Sequence, residues 1–487
     1  MRYSTLPAAL VAVALLGAAA PALDAQAPAS TDSVPLPLEE AVARALRTGD
    51  EVRLAVAAVD AAGEQANVAR ASAFPQLRLN STFNHVIENA RAQAVGSIFN
   101  QPNTYNTNLN LSQTVFQGGR EFAAVRGARR TRDALRLTAD EVRAQVTLDV
   151  QRAYFAALFS ERVVDIRETD FRLAGARVAQ VEQFQNAGRA ARYDVLRARV
   201  ERANLEPLLI QATSDRDIAL LNLKRLVNLP VDRPVKLTSR LDSSAVRILV
   251  QNVSQDSSLG ADRPRVRAAE LNARARRDAV SIARADLFPT VSVFFQSGYQ
   301  AFPVANVLPR GFGRLEEVEC PAGSAAGRVC TQQNGGFFAD RTVGVQLSWA
   351  VFDGFRARSA IDLAQAQWRV ALLQLSQERE AVALEVETAR AGLARARSLY
   401  SARQTNVSEA DEAFRLASLR YTRGLSTQLE VSDAQLQMLT AQIDEARATY
   451  DLYLASAELA RALGRPVPLP PSGPAPLRTS STESRDE

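Results

Sequence analysis

One stretch of this chain occurs twice, and the duplication constrains the fold more than any other feature. Ala71-Ser72-Ala73-Phe74-Pro75 returns as Ala285-Asp286-Leu287-Phe288-Pro289. Leu111-Ser112-Gln113-Thr114-Val115-Phe116-Gln117-Gly118-Gly119-Arg120 returns as Leu347-Ser348-Trp349-Ala350-Val351-Phe352-Asp353-Gly354-Phe355-Arg356. Gly188 and Pro230 recur as Gly424 and Pro466, in the same register as the second of these segments. The second copy is longer between its Phe-Pro and Phe-Asp-Gly landmarks, and Cys320 and Cys330 fall there. Beyond that point the copies keep one register, as paired helices that must match in length would. A repeat of this kind is one supersecondary unit used twice.

Each copy has the same internal order. A helix ends at Phe-Pro, because proline disfavours helical backbone in the residue before it. Leu77 to Phe83 then alternates with period two, which predicts a strand. A polar loop rich in Asn and Gln runs to about Tyr105, and Thr107 to Phe116 alternates again with Leu109, Leu111, Gln113 and Val115 on one face. The second copy offers Val291 to Gln296 and Val343 to Phe352 as strands. Gly118-Gly119 and Gly354 mark the change from strand to helix.

From Arg120 to about Gln185, and again from Arg356 to Tyr421, the chain has no proline and little glycine. At the rise of an α-helix each stretch spans roughly 100 Å. Val382, Val386, Ala389, Leu393, Ala396 and Tyr400 occupy a and d heptad positions, continued by Val407, Ala410, Phe414, Ala417 and Tyr421. The first copy places Val146, Val150, Ala153, Ala157 and Val164, then Phe171, Ala174, Val178 and Val181, in the same way. Sustained heptads with much alanine predict close left-handed pairing. The partners are two shorter helices stacked end to end: about Val52 to Ala73 and Ala191 to Leu229 in one copy, Arg265 to Leu287 and Thr427 to Leu463 in the other. Residues 231–263 between the copies are expected to form a small belt at the middle, and residues 467–487 a disordered tail.

The first 25 residues read as a cleaved secretion signal: Arg2 supplies a positive start, Leu6 to Ala20 an apolar core, and cleavage is expected before Gln26. No later apolar run is long enough for a membrane helix, which leaves a soluble protein or a β-barrel. In an oxidising compartment Cys320 and Cys330 are read as a disulfide. His85 is the only histidine and lies far from them, so no metal site is expected. The net charge of +5 and pI near 9.4 arise from Arg alternating with Glu and Asp along helices. That is the pattern of a solvated helix face, not of a nucleic-acid footprint.

The Phe-Pro strand starts, the 348–356 segment and the turns at Gly188 and Gly424 resemble the outer-membrane efflux family typified by TolC, over about residues 36–466. The resemblance implies a mainly α protein with a membrane β-barrel part: a homotrimer with four strands per protomer, a twelve-stranded barrel in outer-membrane lipid, and a long helical tunnel below it. It implies an exit duct for a tripartite efflux or type I secretion system, working with a periplasmic adaptor and an inner-membrane pump, with no cofactor. By position from Gly424, Glu430 and Asp433 correspond to the family's acidic ring, and by position from Gly188, Asp194 to its gate acid. Ser426 stands where the family carries its gate arginine; Arg423, Arg189 or Arg192 could replace it. Gly188 and Arg189 at one turn, and Gly424, Leu425 and Ser426 at the other, resemble the tips that meet an adaptor. The plainer reading is that these are helix–helix turns with solvated charges.

An enzyme is not expected: the chain lacks G-x-x-x-x-G-K-[ST], G-x-S-x-G and H-E-x-x-H segments. A periplasmic coiled-coil adaptor or scaffold is the nearest rival, but an adaptor would need one hairpin flanked by compact β domains, and a scaffold leaves the alternating strands unexplained.

Overall fold

The structure, a computed structural model, describes residues 33–88, 90–95, 102–239, 260, 262–303, 311–313, 315–318, 330–333 and 336–467. The expected leader and almost all of the expected tail lie outside these residues. The chain opens with β1 (Val34–Leu36), α1 (Leu38–Thr48) and α2 (Asp50–Ala71). Next come β2 (Gln76–His85), α3 (Ala90–Val95) and β3 (Asn103–Gln117). The first hairpin is α4 (Arg120–Asn186) with α5 (Arg192–Leu226), followed by β4 (Val235–Leu237). The second copy runs α6 (Pro264–Ala285), β5 (Thr290–Ala301), β6 (Leu315–Val318), β7 (Cys330–Gln333) and β8 (Phe338–Ser348). It ends in the second hairpin, α7 (Arg356–Thr422) and α8 (Gln428–Ala462).

β2, β3, β5 and β8 form one antiparallel sheet in that order, the four strands that period-two alternation predicts. A bulge between Thr114 and Phe116 adds a residue to β3 as it approaches the helices. The helices follow the strands around the molecule: α2 packs on α4, α4 on α6, and α6 on α7. Farther from the sheet the order is α5, α4, α8, α7. The long helices therefore run the length of the helical part, and the short ones share it end to end.

The main apolar core lies where these two levels meet. Tyr154 and Phe155 of α4 and Tyr453 of α8 are fully buried there, with Phe155 and Tyr453 edge to face at 4.3 Å. The Tyr154 hydroxyl donates to Leu36 O at 2.8 Å and accepts from Ser239 N at 3.1 Å. This ties the parallel β1–β4 pair to the long helix. Beside it, Arg263 and Arg461 both contact Glu141 and Glu385.

Several elements differ from expectation. β8 ends at Ser348 rather than at Phe352, because Gly354 (φ 68°) and Phe355 (φ 66°) turn the chain into α7. The Asp353 carboxylate accepts from Ala357 N at 2.9 Å there and caps the helix. β1, α1, β4 and the β6–β7 pair have no counterpart in the sequence reading; each strand among them is only three or four residues long. The stretch expected as a polar loop to about Tyr105 holds the short helix α3, and β3 already begins at Asn103, paired with His85. Of the stretch expected to form a belt, β4 is described and most of the rest is not. α5 carries Pro207 inside the helix, which removes one backbone hydrogen bond.

Candidate functional site

The sheet has one apolar and one polar face. In register across all four strands, Leu77, Leu111, Phe295 and Val343 stand side by side on one face, and Gln113, Val293 and Val345 continue it. Val343, Val345 and Leu347 are 74%, 70% and 66% exposed, which no water-facing sheet would favour. The other face carries Arg78, Asn80, Thr82 and Asn84 beside Asn110, Asn108, Asn106 and Thr104, then Gln296 and Thr342. Aromatic rings mark both ends. Phe83 stacks on Tyr105 at 4.6 Å and Tyr299 lies near Phe312 at 5.2 Å; Phe74, Phe116, Phe288, Trp349 and Phe352 are exposed at the helical end. A ten-residue strand tilted as in barrels spans about 25 Å of height. Apolar outside, polar inside and aromatic rims are the requirements of a sheet that closes around water within lipid.

At the far end of the helices both turns use the same backbone device. Gly188 (φ 69°) and Gly424 (φ 72°) are left-handed. Arg189 N donates to Phe184 O at 2.7 Å, and Leu425 N to Arg420 O at 2.8 Å, which closes the last carbonyls of α4 and α7. Among the described residues a Cβ would meet nothing within 4 Å at either glycine, so glycine is required for its φ and not for space.

Asp194 lies in the first turn of α5, where its Oδ2 accepts from Ala191 N at 3.0 Å. It therefore closes its own helix end. Among the described residues it forms no ion pair with Arg423, Arg189 or Arg192. The Arg189 guanidinium lies over the Phe184 ring at 4.9 Å. Asp194 does reach the second hairpin electrostatically: burial, and then the Asp194 charge, push the Tyr421 hydroxyl up. Tyr421 faces Phe184 across the hairpins at 6.3 Å. Glu430 follows the Thr427 cap and stands 4.0 Å from Arg420, both about half exposed. Asp433 is exposed one turn on. Ser426 Oγ donates to Ala417 O at 3.4 Å. Cys320 lies outside the described residues; the backbone of Cys330 pairs with Val318.

Residues that the sequence reading missed join the two hairpins. Gln435 of α8 donates its Nε2 to the carboxylate of Asp170 on α4, and both residues are buried. Arg177 Nη1 donates to Ser432 Oγ at 3.2 Å, and Ser432 Oγ donates to Glu201 Oε2 of α5 at 3.1 Å. Asp170 lies beside the Phe171 and Ala174 seam positions, and a charge there was the one signal available.

The family model described as outer membrane efflux protein matches residues 41–229 and 257–465. The chain belongs to the outer membrane efflux protein family. The pyoverdine export outer membrane protein OpmQ of Pseudomonas putida is 27% identical over 74% of this chain and 70% of its own length. The cobalt-zinc-cadmium resistance protein CzcC of Cupriavidus metallidurans is 22% identical over 88% of this chain and 90% of its own. In fold, this efflux protein is similar to VceC of Vibrio cholerae (TM-score 0.68, 20% identity, 88% and 97% of the two chains). It is similar also to CusC (TM-score 0.70, 17% identity, 88% and 92%). The protein is an outer-membrane efflux channel with a large periplasmic helical part. Members of the family are homotrimeric channels that work with efflux pumps.

Proposed function

We propose that three copies of this chain close one duct, with a twelve-stranded barrel in the outer membrane and a helical tunnel whose narrow mouth lies at the Gly188 and Gly424 turns. The observation that carries this reading is a pair of open edges flanked by matched stripes. β2 and β8 end the sheet, and open edges do not survive in lipid. Next to β2, α2 exposes Leu54, Ala61 and Val68 at heptad spacing; next to β8, α7 exposes Leu363, Val370 and Leu384. Measured from the sheet end of each helix, Val68, Leu363, Ala61, Val370 and Leu54 fall at about 5, 10, 15, 21 and 26 Å. The two stripes therefore interleave as knobs between knobs when β2 of one copy meets β8 of the next.

The mouth receives its cargo through a periplasmic adaptor that seats on the tips, Arg189 on one and Leu425 and Ser426 on the other, with an inner-membrane pump behind it. Three copies of Glu430 and Asp433 ring the passage and favour cations. Asp194 sets the start of α5 beside Tyr421. Relatives named for pyoverdine export and for cobalt-zinc-cadmium resistance support a general duct that takes its specificity from the pump. Residues 1–25 act as a removable leader; 26–230 and 264–466 are the two copies of the unit, joined by 231–263, with 467–487 as a tail. The mass of the detergent-solubilised particle is the test: three chains are expected. A single chain, unchanged by Val68→Asp or Leu363→Asp, would reject the assembly.

A further inference from the structure

Between the hairpins, about three helical turns from Gly424, lies a cavity of about 250 Å³ lined by Asp170, Arg177, Glu201, Asn204, Ser432 and Gln435. Gln435 is buried and its Oε1 meets no partner among the described residues, although its Nε2 is bound to Asp170. An ionised carboxylate only accepts, so it can satisfy the amide N–H of a glutamine and never the amide oxygen. A protonated carboxyl carries both a donor and an acceptor and pairs with a primary amide through two hydrogen bonds.

We propose that Asp170 and Gln435, with Arg177, Ser432 and Glu201, form a proton-responsive clasp that holds the second hairpin to the first and must part when the tips separate. This rests on the channel reading above and adds a regulatory device to the same mouth.

The surroundings favour such a role. The clasp is the polar break below an apolar contact of Ile166 with Met438 and Leu439. Its groups can exchange protein partners for water, with small net change, when the hairpins part. Around Asp170, α4 contributes Arg167 and Arg177, and α5 contributes Glu201, paired with Arg197 at 3.0 Å. Arg202 of α5 is held over the Phe171 ring. α8 presents the neutral Ser432 and Gln435, and α7 the Tyr421 hydroxyl near Arg177. Burial pushes the Asp170 carboxyl up, and the Gln435 hydrogen bond and the Arg167 and Arg177 charges do not cancel it. A group that binds its proton more tightly when buried draws the equilibrium toward the buried state as pH falls. Acidification therefore closes the clasp, and alkaline pH leaves an ionised carboxylate and an unmet amide oxygen that favour parting.

The test uses the purified full-length protein in planar bilayers and in detergent. On lowering the pH from neutral, the wild-type open probability should fall about two- to tenfold, the equivalent of one net hydrogen bond. Asp170→Asn supplies the missing donor permanently and should stay at the low value at every pH. Asp170→Ala should stay open and equally flat. Hydrogen exchange of the backbone amides at 420–430, compared at one pH, should be slowed in Asp170→Asn and quickened in Asp170→Ala. Wild-type pH dependence in Asp170→Asn, or unchanged exchange in both variants, overturns the clasp while leaving the channel. Absent conductance with the expected exchange order would instead remove the channel reading and keep the clasp.

Discussion

Arg263, at the head of α6, and Arg461, near the end of α8, grip the same two carboxylates, Glu141 of α4 and Glu385 of α7. Four helices from both copies of the repeat are joined by one quartet. The Arg263 side chain is only 1% exposed. Burial alone would push the Glu385 carboxyl up, but the hydrogen bonds and charges of Arg263 and Arg461 outweigh it and hold it below its usual range.

Removing one arginine leaves two carboxylates sharing the other in a partly buried site. Arg263→Ala should destabilise the protein by about 3–5 kcal/mol, read as a lowered unfolding midpoint. An unchanged midpoint would show that the quartet is solvated in solution. The depressed Glu385 pKa sets the sign with pH: its contribution is complete above the unfolded carboxylate value and disappears as pH falls through the folded one. Glu385→Gln should therefore flatten the acid limb of the stability curve.

Tyr154 tests the tie between the β1–β4 pair and α4. Tyr154→Phe removes the donor to Leu36 O and the acceptor for Ser239 N and leaves both groups with less access to water than an exposed loop would have. A loss of about 1–3 kcal/mol is expected, with faster hydrogen exchange at β1 and β4. Normal exchange there would mean that packing of α1 alone holds the strands.

Replacing Glu430 and Asp433 together by Ala should lower cation selectivity in bilayers under asymmetric salt, with assembly intact. Glu430 meets Arg420 only at 4.0 Å in an exposed setting, and such a pair contributes about 0–1 kcal/mol, so stability should hardly change. Unaltered selectivity would place both carboxylates outside the lumen.

The mode of formation of each element decided whether the sequence revealed it. The four sheet strands and the long helices were legible because period two and period seven are local patterns, and because Phe-Pro and Gly-Gly or Asp-Gly punctuate them. β1 was not: three residues pair with Val235–Leu237, far away in sequence and with no periodicity of their own. At the mouth, the turn glycines were legible because a left-handed residue leaves a signature. Asp194 was legible as a charge just past the first turn, but its hydrogen bond to Ala191 N was hidden because alanine is no capping residue. The Asp170–Gln435 contact spans 265 positions and depends on how two hairpins face each other, which no heptad count encodes.

The seam between copies has its own test. Val68→Asp and Leu363→Asp each place a carboxylate between interleaved apolar side chains and should convert trimers to monomers, whereas Leu425→Asp at an exposed tip should not. Trimers unaffected by all three would mean that the barrel alone holds the copies together.

A water-filled duct through the outer membrane must carry ions, and single-channel current from the purified protein in a planar bilayer reads this without an intermediary. Discrete, cation-selective steps are expected, and they should vanish in Val68→Asp. Protein that assembles and inserts, yet passes no current at any pH or voltage, would mean that the three copies enclose no duct.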